Sequence, residues 1–135
     1  FTITAEDPAV LAELPARLES RGFSWEDLTG ATDVLFRAIP LRGDLLRCPL
    51  FLRLDFYERA GALHDFLDAV IRGRASLCYF NYRQSGERIG RALIGLDFEE
   101  YTQRDSFLAA LPSQGSGYRS CQPVDAATTL RLTQS

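Results

Sequence analysis

The chain has no lysine and no methionine, one histidine, one tryptophan and three cysteines in 135 residues. All 15 basic residues are therefore arginines, and no lysine amine exists to form the internal Schiff base of a pyridoxal-phosphate enzyme. Cys48, Cys78 and Cys121 are odd in number, far apart and without CxxC spacing, and His64 is the only imidazole. Neither a zinc site nor a disulfide framework follows, so the cysteines read as small buried apolar groups and His64 as a surface or boundary residue. A net charge of −3 with arginines scattered rather than striped gives nucleic acid no electrostatic reason to bind. No apolar run is long enough to span a bilayer, and Phe1 to Asp7 lacks the basic and apolar regions of a signal peptide. The expectation is a cytoplasmic protein with no membrane partner. No constellation for catalysis stands out beyond scattered carboxylates.

What is present is one sizeable core and a clear order of elements. Leu50, Leu52, Leu54 and Phe56 alternate with Phe51, Arg53, Asp55 and Tyr57, the period of a strand with one face in the core. A turn at Gly61 follows. Leu63, Phe66, Leu67, Val70 and Ile71 then recur at the spacing of a helix burying one stripe, which Gly73 ends. In a second strand, Cys78, Phe80 and Tyr82 alternate with Leu77, Tyr79, Asn81 and Arg83. Gln84-Ser85-Gly86-Glu87 supplies a turn, and Arg88 to Phe98 a third strand with Ala92, Ile94, Leu96 and Phe98 on one face. Tyr101, Phe107, Leu108 and Leu111 mark a second helix, ended by Pro112 and Gly115-Ser116-Gly117 before a short strand near Tyr118 to Gln122. Asp125 is placed to cap a last helix reaching Leu132. The order βαββαβ predicts an α+β, ferredoxin-like sandwich over residues 44–135.

Residues 1–43 make no such unit alone. Phe1 to Ala5 reads as a strand, and Asp7-Pro8 starts a helix with Leu11, Leu14 and Leu18 as its stripe, in which Pro15 predicts a kink or split. A strand over Phe23 to Leu28 is expected next. Asp27 to Arg37 also lines up with Val124 to Arg131, and Leu18 to Ser24 with Pro112 to Arg119. This repeat predicts that the first 43 residues are the trailing strand-helix-strand half of an earlier unit. The absence of an initiating methionine agrees with a piece of a longer chain.

The turn Glu58-Arg59-Ala60-Gly61-Ala62-Leu63, at the mouth of a strand-helix-strand unit, resembles the loop of ACT-type amino-acid-sensing domains. Tyr79-Phe80-Asn81-Tyr82-Arg83 resembles the Phe-x-Tyr-Arg strand end of the C-terminal regulatory region of biosynthetic threonine dehydratase (threonine ammonia-lyase). That region pairs two ACT-like units. Ala60 departs from it where proline is common, Pro40 interrupts the segment after Arg37, and the first Phe-x-Tyr-Arg is missing. The resemblance implies a domain that senses L-isoleucine, with L-valine opposing, and controls a pyridoxal-phosphate catalytic domain in cis or trans. No cofactor is implied on this chain.

A zwitterionic ligand needs donors for its carboxylate and acceptors for its ammonium. Amides at the Gly61-Ala62-Leu63 helix start, with Arg59 or Arg83, offer the first; Asn81, Glu58 or Asp55 offer the second. Leu63, Phe80 and Tyr82 supply apolar lining. Against this, Glu58 and Arg59 in a turn are more often solvated than functional, and Asn81 and Arg83 fall on the opposite strand face from Phe80 and Tyr82. A half-unit with exposed edges predicts a homo-oligomer. The rival reading is an ACT-like oligomerisation module that binds no small molecule.

Overall fold

A computed structural model describes residues 3–84, 88–112 and 117–134. Four strands form one antiparallel sheet: β1 (Cys48–Tyr57), β2 (Ser76–Gln84), β3 (Ile89–Phe98) and β4 (Ser120–Pro123), in the order β2-β3-β1-β4. Between β1 and β2 lies α3 (Ala62–Phe66), continued without a break by a π-helical turn over Leu67–Ile71. Between β3 and β4 lies α4 (Tyr101–Ala110), whose start is closed by a capping box in which Glu100 and Gln103 serve each other's backbone amides. The expected α+β, ferredoxin-like βαββαβ arrangement is therefore the fold. Parts of two expected turns, Ser85 to Glu87 and Ser113 to Ser116, lie outside the described residues, as do Phe1 and Thr2.

The strand alternation gives the first core face. Leu50, Leu52, Leu54 and Phe56 from β1 and Ala92, Ile94, Leu96 and Phe98 from β3 pack against Ala62, Phe66 and Ile71 of the first helical run and Phe107 of α4. Leu63, Leu67 and Val70 complete the stripe at its margin, as the helical spacing predicts.

The opposite face, which the strand alternation left out of the core, also buries side chains: Phe51 and Leu93 are almost fully buried there. Two short helices cover them: α2 (Thr32–Leu35), followed directly by Phe36, and α5 (Ala126–Leu132), which brings Leu132. Asp125 caps α5 by accepting from the Thr128 amide at 2.8 Å. Arg131 of α5 makes a bidentate pair with Asp33 of α2, at 2.8 and 2.9 Å. Asp27 to Arg37 and Val124 to Arg131, one of the two aligned pairs of segments, thus each contain a helix, and those helices meet.

Segment 3–31 departs from expectation. α1 (Pro8–Ser20) starts at an Asp7 cap with Pro8 in its first turn, but it runs through Pro15, which only removes the bond to the Leu11 carbonyl. None of its residues is buried. No strand forms over 3–5 or Phe23 to Leu28. Strand backbone needs a neighbouring strand for its hydrogen bonds, and here the chain folds back on α1 instead: the Phe23 amide donates to the Leu18 carbonyl and Trp25 Nε1 to Glu19.

The hydrogen bonds from Arg131 hold the Asp33 carboxyl below its usual value of 3.8. A carboxyl with a depressed folded pKa adds stability that is fully present above the unfolded value and is lost as pH falls through the folded one. Asp33→Asn should therefore cost stability by a constant amount above about pH 5 and by less and less below about pH 4. Urea midpoints across that range check it; a gap that stays constant into strong acid would reject the pairing.

Candidate functional site

β1 ends at Tyr57, where the Glu58 amide donates to the Arg88 carbonyl at 2.9 Å and ties the turn to the start of β3. The chain then reverses through Gly61, whose φ of 79° lies in the left-handed region that a side chain would strain. Ala62, nearly fully buried, starts α3 directly behind it. The turn leans on β2 through Glu58, whose carboxylate accepts from the Tyr82 hydroxyl and, at 2.7 Å, from Gln84 Nε2. That bond to Glu58, more than burial, pushes the Tyr82 phenol above its usual pKa, so it stays protonated as a donor. Arg59 Nη2 reaches Asp65 of α3 at 2.8 Å.

These contacts frame a cavity of about 250 Å³ between the turn, α3 and β2. Phe56, Phe80 and Tyr82 form its sheet side; Arg59, Gly61, Ala62, Leu63 and His64 form its helix side. Phe56 and Tyr82 stack with centroids 6.0 Å apart. A second groove of about 270 Å³ continues along the helix past His64 and Leu67 to Ala75 and Leu77.

Of the residues singled out in the sequence, Arg59, Gly61, Ala62, Leu63 and Tyr82 come together at the cavity, with Glu58 just behind Tyr82. Asn81 and Arg83 do not join them. On the other face of β2, Asn81 Nδ2 donates to the Phe36 carbonyl at 2.9 Å, and Arg83 Nη1 donates to the Leu35 carbonyl. Asp55 is also on that face, with Arg53 and Arg91 at 3.9 and 3.8 Å. Phe56 and His64 were missed as lining. Phe56 could have been found by extending the β1 alternation to the turn; His64 carries no signal beyond its place one residue after Leu63.

Leu77 also changes sides. A β-bulge between Leu77 and Tyr79 puts Leu77 opposite Leu96 and into the helix-side groove, while Tyr79 packs edge-on to Phe51 on the second face. Cys78 and Cys121 are poor nucleophiles: burial pushes Cys78 up to about 11 and Cys121 up to about 12. Among the described residues no group of His, Cys, Asp and Glu could hold a metal ion, and no helix is long and apolar enough to cross a membrane.

No curated protein matches the chain at a significant level. A family model described as the C-terminal regulatory domain of threonine dehydratase matches residues 49–130, from the second residue of β1 into α5. The match takes in all of the sheet but the first residue of β1, with α3, α4 and every residue of the cavity, so the chain belongs to the family of threonine dehydratase C-terminal regulatory domains.

Proposed function

We propose that the cavity beside Gly61 binds L-isoleucine, with L-valine as a competing ligand, and that its occupancy controls a pyridoxal-phosphate catalytic domain in cis or trans. The observation that carries this reading is the convergence of the turn and the Phe-x-Tyr-Arg strand on one small, largely apolar cavity. Phe56, Leu63 and Phe80 offer a surface for a branched aliphatic side chain. The start of α3 offers backbone N–H groups, and Arg59 a guanidinium, to the carboxylate. Glu58, already holding the Tyr82 and Gln84 donors, keeps lone pairs for the ammonium. The chain has no lysine for pyridoxal phosphate, which supports a regulatory role beside a catalytic domain that would hold the cofactor.

Residues 1–43 belong in this reading to a preceding ACT-like unit, whose sheet would cover the Leu11, Leu14 and Leu18 stripe that α1 leaves unburied. The homo-oligomer is proposed at β2, an edge strand with Leu77, Phe80 and Tyr82 all more than two-fifths exposed. That edge also supports the rival, an assembly module without a ligand.

Calorimetric titration with isoleucine, valine and threonine, run beside light scattering, separates the two. Isoleucine at about 100 times its Kd should raise stability by about 2.7 kcal/mol, visible as a thermal shift. Association without heat or thermal shift from any of the three amino acids would favour the assembly module and end the sensing reading.

A further inference from the structure

The two sides of β2 serve two different places. Phe80 and Tyr82 face the cavity, whereas Asn81 and Arg83, alternating with them, face away and bind the carbonyls of Phe36 and Leu35. Carbonyls at the end of a helix have no intrahelical partner, and an arginine is well suited to take them. α2 therefore rests on the sheet through three attachments: the Phe36 ring in the second-face core, the Asp33–Arg131 pair to α5, and the two donors from β2. The last of these comes from β2 residues that alternate directly with Phe80 and Tyr82 of the cavity.

We infer that Asn81 and Arg83 are positioning residues which clamp α2 to the sheet, and that β2 thereby couples occupancy of the cavity to the seating of α2. β2 is an edge strand, bonded among the described residues to β3 alone, so no neighbouring strand fixes its outer side. A ligand that fixes Phe80 and Tyr82 fixes the backbone between them, and with it the Asn81 and Arg83 donors. By reciprocity, a seated α2 favours the ligand-bound arrangement of β2 to the same degree. α2 leads back through Gly30 to α1, so the seating of α2 is felt along the N-terminal segment. The coupling rests on the proposed amino-acid site; the clamp itself does not.

The test uses the full chain, limited trypsin and hydrogen exchange, with isoleucine as the probe. The chain has no lysine, so trypsin cuts only after arginine, and Arg37 lies directly behind the clamped carbonyls. The double variant Asn81→Ala and Arg83→Ala should be cut after Arg37 about tenfold faster than the parent, the factor expected for losing charge-assisted bonds. Arg83→Lys, which keeps a donor, should restore most of the protection and stays informative if the double variant unfolds, an event that cutting at Arg91 in β3 would reveal. Equal cutting after Arg37 in parent and folded variant overturns the clamp. In the parent, isoleucine should slow exchange over 32–38 together with 58–64, and in the double variant over 58–64 only. Slowing at 58–64 without 32–38 in the parent overturns the coupling and leaves the amino-acid site intact. No slowing at either segment overturns the amino-acid site and the coupling with it, while the tryptic result still judges the clamp.

Discussion

Phe36→Ala is expected to lower the free energy of unfolding by about 3–5 kcal/mol, the range for truncating a buried phenylalanine. Phe36 is 6% exposed and packs with Phe51, Leu93 and Leu132 on the second face of the sheet. It lies outside residues 49–130, in a segment that pattern alone assigns to a different unit. If the cap were an incidental contact, its loss would cost little. Phe51 and Leu93 nevertheless need a cover, because each is fully buried or nearly so on a face where Arg53, Asp55 and Arg91 remain partly exposed. A loss of this size is a large share of the 5–15 kcal/mol that holds an ordinary domain together. Urea unfolding should show a lower midpoint at unchanged slope, and Leu35→Ala, at a position 40% exposed, should move it far less. A Phe36→Ala midpoint matching that of Leu35→Ala would show that the domain folds without its cap.

The sheet and its first core face were legible because period two and period 3.6 are carried by side chains that all point one way. Leu50 to Phe56, Ala92 to Phe98, and Leu63 with Phe66, Leu67, Val70 and Ile71 each announce a buried stripe, and Asp7 and Asp125 announce their helix starts. The second face was not legible, since Phe51 shares it with Arg53 and Asp55 and a stripe that is apolar for only part of its length reads as polar. The bulge beyond Leu77 was invisible for a related reason: one inserted residue shifts the faces without changing the composition of the run. The spacing of Leu63 to Ile71 also cannot tell an α-helix from one that ends in a π turn. Over Phe23 to Leu28 the apolar and aromatic residues pointed to a strand, but the segment pairs with no strand among the described residues, and propensity yields to missing partners. At the cavity, the turn and Tyr82 were readable from motif. The destinations of Asn81 and Arg83 were not, because their partners are backbone carbonyls 45 and 48 residues earlier in the chain.

Gly90→Val is expected to weaken isoleucine binding by more than about tenfold, a change of at least about 1.4 kcal/mol. Gly90 is buried opposite Phe56 in the β1–β3 register, where β3 passes beneath the cavity. A β-carbon there would lie 2.6 Å from Phe56 Cζ and 3.1 Å from Tyr82 Cε2. Those are the two stacked rings that form the sheet side of the site. Neither ring can yield freely: Phe56 is held in the core, and the Tyr82 hydroxyl is held by Glu58. The added bulk must therefore push the rings into the space the ligand would use. It also overpacks the core, typically at a cost of about 1–3 kcal/mol, so lost binding has to be separated from lost stability. Phe98→Leu provides the comparison, because Phe98 packs on Phe107 in the same core but at the far end of β3. With the two variants compared at temperatures equally far below their own midpoints, calorimetry should find isoleucine binding kept in Phe98→Leu and lost in Gly90→Val. Equal affinity in both would place the ligand away from the Phe56–Tyr82 stack.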